Sequence, residues 1–296
     1  MEDGMAVAGS SANIATAATL GTNILLSGAM SQVWGMINGL QIFVNLPLFE
    51  MKFPLLSQAV VNQLINIATF DVLPTDAIFG YLFSEMPDES DVVRPRFERV
   101  GYGSNYTIIN LGTLFLTLLV MILIPLGVLL TQPCQRFSSR LTKRNQELTD
   151  AMRGNMYIRF IMEGALDISI SCVLQYLYLE QEGESSVAMD SLFNVANNIT
   201  LVVMAAAVVI FPFFIAAFYL RRFEKWGEET FEKKYGAVFE GLKTSRKSSL
   251  AYQLIFIGRR LLLGLICVLF ERSLLTQLIL IWVCSVVQVA YLATFM

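Results

Sequence analysis

Histidine is absent from the 296 residues. That absence excludes histidine acid–base catalysis, haem ligation by histidine and mixed His/Cys zinc sites from this chain alone. Charge is scarce: 15% of residues are Asp, Glu, Lys or Arg, against about 25% in soluble domains. The net charge is −3 and the sequence pI about 5.2, which argues against a nucleic-acid partner, since nucleic acid needs a basic surface. The four cysteines, Cys134, Cys172, Cys267 and Cys284, have no CxxC spacing, so neither a disulfide framework nor a metal cluster is legible. HExxH, GxSxG and GxxxxGK[ST] are all missing, and with them the common hydrolytic and nucleotide-binding signatures. No cofactor is expected, and no enzymatic activity. The N-terminal Met1-Glu2-Asp3-Gly4 lacks the basic region of a secretory signal.

What is present is apolar. Hydrophobic residues make up 55% of the chain, the mean hydropathy is +0.59, and the apolar residues come in blocks. A bilayer core about 30 Å thick requires about 20 such residues per helix. Ile108–Leu130 has no charge and a helix-kinking Pro125; Asn194–Leu220 is as apolar and contains Pro212. Tyr252–Met296 holds two further spans, separated by Glu271-Arg272-Ser273. Tyr157–Leu179 is a weaker span that carries Arg159, Glu163 and Asp167. The first segment is rich in small residues: Met5–Ser31 has 17 Ala, Gly, Ser or Thr in 27 positions, and no charge lies between Asp3 and Glu50. It reads as one long tilted helix broken near Gly35 or Gly39, with Ala17, Gly21 and Gly28 as a helix-packing strip. Phe53–Phe83 contains Asp71, Pro74 and Asp76 and reads as interfacial or re-entrant.

Basic residues predict the orientation. Six lie in 132–160 and eight in 221–250, whereas 180–190 has none and carries Glu180, Glu182, Glu184 and Asp190. The positive-inside rule assigns the first two to the cytoplasm and the third to the other side. Alternation then puts 49–103 outside, and the side of the N-terminus stays open. Two N-x-[ST] sequons, at Asn105 and Asn198, fall at the outer ends and are glycosylation candidates.

A voltage sensor needs Arg or Lys at every third position through a span, and the final hairpin is too short for a pore loop; neither pattern is here. Intramembrane charge is the remaining signal. Glu163 and Asp167 share a helix face at i,i+4 spacing, and Arg259-Arg260 interrupts Leu254–Phe270. Such residues pair, face a polar cavity or snorkel to the interface. Asp167 lies ten residues past Tyr157 and Arg260 ten past Leu250, each about 15 Å along its helix, so the spacing predicts a buried Asp167–Arg260 pair. Segment 221–250 reads as an amphipathic helix with an aromatic face (Phe223, Trp226, Phe231, Tyr235, Phe239) and a basic one. Such a helix lies in the interface on anionic lipid.

Three strings carry a resemblance: WGMINGLQIFVNLPLFEMKFP (Trp34–Pro54), FDVLPTDAIFGY (Phe70–Tyr81), and YGAVFEGLK (Tyr235–Lys243) followed by FIGRRLLLGLICVL (Phe256–Leu269). They resemble the C-terminal multi-pass membrane region of large cysteine-rich protist surface proteins, best known from ciliates. That region is loosely similar to the transient-receptor-potential/polycystin-like membrane proteins of fungi. The resemblance covers about half the chain and implies a helical bundle with channel-like or sensory function; it transfers no binding residue. This chain has no cysteine-rich ectodomain and stops at Met296 within a span, as a fragment or split gene product would.

The expectation is an all-α polytopic transmembrane bundle of about six spans with interfacial helices. Its parts are a first helix (1–48), an outer loop (49–103), a three-span core (104–220) with basic loop 132–156, an amphipathic segment (221–250) and a C-terminal hairpin (251–296). The expected function is a channel-like or sensory module of the plasma membrane or an endomembrane, alone or in a homo- or hetero-oligomer. The alternative is a non-conducting structural subunit or an anchor of a larger surface protein or complex.

Overall fold

The computed structural model describes residues 39–49, 54–68, 75–83, 95–133, 139–151, 155–182, 189–226, 228–238 and 248–295. Ala17, Gly21, Gly28, Cys134 and most of the first expected span lie outside the described residues. No strand occurs among the described residues. The helices are α1 (Gly39–Leu48), α2 (Leu55–Ala68), α3 (Thr75–Leu82), α4 (Pro95–Glu98), α5 (Thr107–Asn110), α6 (Gly112–Thr131), α7 (Ser139–Ala151), α8 (Asn155–Glu182), α9 (Leu192–Arg221), α10 (Glu229–Tyr235), α11 (Ser249–Leu269) and α12 (Leu274–Phe295). Among the described residues, α6, α8, α9, α11 and α12 are long and apolar enough to cross a membrane. The protein is a multi-pass, all-α membrane protein. Its basic end carries the α6–α8 and α9–α11 connections, and its acidic end the α8–α9 and α11–α12 connections.

The bundle is built around α8. Of its apolar stretch 72% is buried, against 11% for α6 and 17% for α12. The cause is chemical: α8 carries Glu163, Asp167, Ser169, Ser171 and Gln175, all buried. Polar groups have no water to bond in a bilayer core, so this helix must be surrounded by protein. Leu130 of α6, Phe213 of α9 and Trp282 of α12, by contrast, are exposed, as suits surfaces that meet lipid tails.

Helix α11 runs parallel to α8 and approaches it closely. The Ser169 hydroxyl donates to the Leu261 carbonyl at 3.1 Å. A Cβ on Gly264 would sit 2.8 Å from Cβ of Ser169 and 3.2 Å from the backbone nitrogen of Ile170, so glycine is what lets these two backbones meet. Helix α6 runs antiparallel on the other side, where the Tyr157 hydroxyl donates to the Met121 carbonyl at 2.9 Å. At the start of α5, the Thr107 and Ile108 amides donate to Gln175 Oε1 (2.8 Å) and Asn197 Oδ1 (3.0 Å). Those are donors a helix start leaves without intrahelical partners; side chains of α8 and α9 supply them. Pro125 and Pro212 lie within α6 and α9, which continue past them.

Helix α1 holds Gln41 level with Glu163 and Asp167 and ends with Leu48 packed in one cluster with Leu174 and Val268. Its direction is therefore toward the acidic end, parallel to α8 and α11. Helix α2 packs back against α1 through Val61, Leu64 and Ile65. Helix α3 then climbs from Thr75, which abuts Gly112, to Phe83, stacked edge-on against Phe193 at 5.4 Å. With 14 and 8 residues, neither helix reaches across a bilayer.

Two sequence expectations change. Loop 132–156 contains the helix α7, tied to the end of α6 by an Asn145-to-Thr131 side-chain hydrogen bond of 2.8 Å. Among its described residues, the 221–250 segment is not one amphipathic helix but a 3₁₀ turn at Phe223–Lys225, α10 and a second turn at Gly236–Val238. Its aromatic face does not lie open to lipid: Trp226 and Phe231 are buried in one cluster with Tyr219, Ile158 and Ile257. The Trp226 indole donates to the Tyr219 carbonyl at 3.1 Å, and the Tyr219 hydroxyl to the Tyr235 carbonyl at 2.8 Å. The aromatics fold back to satisfy the last turn of α9. Phe239 lies outside the described residues.

Candidate functional site: a polar cluster inside the bundle

Asp167 is the thirteenth residue of α8, about 18 Å along a helix about 42 Å long, and is 2% exposed. A carboxylate so placed must be hydrogen-bonded. Its Oδ1 accepts from the Tyr102 hydroxyl at 2.7 Å and its Oδ2 from the Gln41 amide at 3.0 Å. The same Gln41 nitrogen donates to the Glu163 carbonyl at 3.1 Å.

Tyr102 is positioned by its local sequence. Helix α4 ends in a Schellman motif: the Tyr102 amide donates to the Phe97 carbonyl (3.0 Å) and the Gly101 amide to that of Glu98 (3.1 Å). The motif needs a left-handed residue, and Gly101 supplies it at φ 97°. Phe97 and Tyr102 then pack in one cluster, which leads the phenol inward. Burial raises its pKa well above 10.0, and the neighbouring Asp167 charge adds to the shift. Arg96, on the same short helix, donates to the carbonyls of Leu48 (3.4 Å) and Glu271 (2.7 Å), tying α1, α4 and the α11–α12 turn together at the acidic end.

Arg260 closes the cluster from α11. It is 1% exposed, and its Nη1 donates to the carbonyls of Met162 and Glu163, each at 3.0 Å. The same nitrogen lies 3.8 Å from Glu163 Oε2, and the guanidinium carbon sits 4.7 Å from the centre of the Phe256 ring. Arg260 thus meets α8 at the expected depth, but its ion pair is with Glu163, while Asp167 is held by Tyr102 and Gln41. The reason is register. Parallel packing sets Arg260 against the turn at Met162–Glu163, one turn short of Asp167.

Arg259 is half-buried. Asn105 is 4% exposed, and Asn198 accepts a 3.3 Å hydrogen bond from Gln175 on α8. Asn105 is thus buried and Asn198 half-buried. Sequence reasoning missed Gln41 and Tyr102. Gln41 had a signal, being a polar residue within an uncharged stretch; Tyr102 had none, since tyrosine in a polar loop is unremarkable. Among the described residues, no three His, Cys, Asp or Glu side chains are grouped to hold a metal ion. Compared with known proteins, the chain matches no family model, no curated protein and no solved structure.

Proposed function

We propose that this multi-pass membrane protein is a channel-like or sensory module whose responsive element is the Tyr102–Asp167–Gln41–Glu163–Arg260 cluster. One observation carries the reading: a residue outside the spans, Tyr102, holds a carboxylate deep in the central helix. Buried ion pairs are commonly no more stabilising than apolar packing of the same volume, so a bundle that only needed to cohere would gain little from this one. A displacement of the 95–106 segment would release Asp167, and through Gln41 would alter the environment of Glu163 and Arg260. The resemblance of Trp34–Pro54 and Phe256–Leu269 to the membrane region of cysteine-rich protist surface proteins, itself loosely similar to polycystin-like membrane proteins, supports this role. In the same reading the basic end faces the cytoplasm, where Lys and Arg of 221–250 meet anionic lipid, the membrane is the plasma membrane or an endomembrane, and no reaction is catalysed.

A second reading, a non-conducting structural subunit or anchor of a larger complex, is favoured by the enclosure of α8, whose buried carboxylates Glu163 and Asp167 are engaged within the bundle. Ion flux into proteoliposomes separates the two. Flux that changes in Tyr102→Phe supports the module. No flux from a folded preparation, at any membrane potential or pH gradient applied, supports the structural subunit.

A further inference from the structure

Gln41 and Asn45 stand one turn apart on α1 and are 0% and 2% exposed. Their amides can be oriented in one way only. Gln41 Nε2 faces two acceptors, the Glu163 carbonyl and Asp167 Oδ2, and Asn45 Nδ2 faces the Gln41 carbonyl at 2.8 Å. A flip of either amide would set oxygen against oxygen. The amide oxygens are therefore fixed, and among the described residues neither Gln41 Oε1 nor Asn45 Oδ1 has a hydrogen-bond donor. Buried acceptors of this kind call for a partner. Both belong to the surroundings of Asp167: Gln41 bonds the carboxylate directly, and the Asn45 side chain stands beside the Tyr102 phenol that bonds its other oxygen. Arg260 gives its ion pair to Glu163.

We propose that Asp167, Gln41 Oε1, Asn45 Oδ1 and the Tyr102 oxygen bind one sodium ion. The unsatisfied atoms are all oxygens, the ligand set of hard cations and not of zinc or copper. The set holds one carboxylate, which suits a single positive charge, whereas calcium sites gather several acidic oxygens. A bridging water would satisfy the two amide oxygens, but it would leave the Asp167 charge as it is, and a charge at this depth is costly unless it is balanced. Asn45 lies in the last turn of α1, whose negative end favours a cation. Four side chains from three segments of a closely packed interior leave room for a small ion, so sodium fits better than potassium. The inference rests on the cluster proposed above as the responsive element and gives it a ligand. It does not require conduction, since a non-conducting subunit would hold the same ion.

The test uses the whole chain in detergent, exchanged into choline chloride and titrated with radioactive sodium at constant ionic strength. The unaltered protein should bind one sodium ion per chain, displaced by unlabelled sodium about tenfold more effectively than by potassium. Asn45→Ala, which removes one free oxygen, should weaken binding several-fold, and Asp167→Asn should abolish it. A second readout needs no variant: replacing choline by sodium should raise the thermal unfolding temperature of the unaltered protein, and replacing choline by potassium should raise it less. No bound sodium in the folded protein, displacement by potassium as effective as by sodium, or full binding in a folded Asp167→Asn protein would overturn the proposal, the first in favour of a bridging water. Sodium bound by a protein that passes no ions would uphold the site and overturn only the channel reading; flux without bound sodium would do the reverse.

Discussion

The Tyr102 hydroxyl and Asp167 Oδ1 lie 2.7 Å apart, joining a turn outside the spans to the middle of the most buried helix. Tyr102→Phe removes the donor and leaves the carboxylate one partner short. Hydrogen bonds to charged groups contribute about 1.5–3 kcal/mol, and a loss of that size is expected in chemical unfolding in detergent. Asp167→Asn combined with Tyr102→Phe should cost less than the sum of the two single changes.

The same tyrosine gives a pH signature. Its pKa is raised in the folded protein above the ordinary 10.0 by burial and by Asp167, so the folded state keeps the proton where the unfolded chain releases it. Stability from this group is intact below pH 10 and falls as pH rises above it. The alkaline limb of a stability–pH curve should be steeper for the unaltered protein than for Tyr102→Phe; parallel limbs would mean that the phenol is not buried.

Gly101 and Gly264 should both resist substitution, for different reasons. Gly101→Ala forces a Cβ into a left-handed position, at about 1–2 kcal/mol. Gly264→Ala drives a Cβ into Ser169 across the α8–α11 contact, and overpacking of this kind costs about 1–3 kcal/mol. Ser169→Gly should restore part of the second loss and none of the first, which thermal unfolding of the double variants can read.

The orientation is tested by labelling. In a background with the four native cysteines replaced, a cysteine at Ser185 should react with an impermeant maleimide applied from outside intact cells, and one at Ser138 only after permeabilisation. The opposite pattern would invert the assignment of the basic end.

The spans were legible because length and apolarity are demanded of every residue that meets lipid. The order of burial was not. Tyr157–Leu179 is the weakest span by composition and the most enclosed in the bundle, for one reason: residues such as Asp167 and Gln175 that spoil its hydropathy are those that must be surrounded by protein. Glu163, Asp167 and Arg260 could be picked out as costly charges, and helix rise put them at similar depth. Which carboxylate met Arg260 depended on the one-turn register between α8 and α11, set by the Gly264–Ser169 contact, and nothing in either helix alone specifies that. The aromatic face of 221–250 was legible as apolar, but its partner was not: Tyr219 and Ile257 cover it in place of lipid.

The polar cluster is joined across α8 and α11 by the coupling between Arg260 and Glu163. A double-mutant cycle with Glu163→Gln and Arg260→Gln, read by unfolding in detergent, measures it. Arg260→Gln alone should cost about 3–5 kcal/mol, because it strands a buried carboxylate and removes the donors to the Met162 and Glu163 carbonyls. The double variant should be less destabilised than the sum of the single variants by about 1 kcal/mol or more, and the cycle with Asp167→Asn should give a smaller term. Additivity within about 0.5 kcal/mol for Glu163 and Arg260 would contradict a bundle organised on the polar cluster.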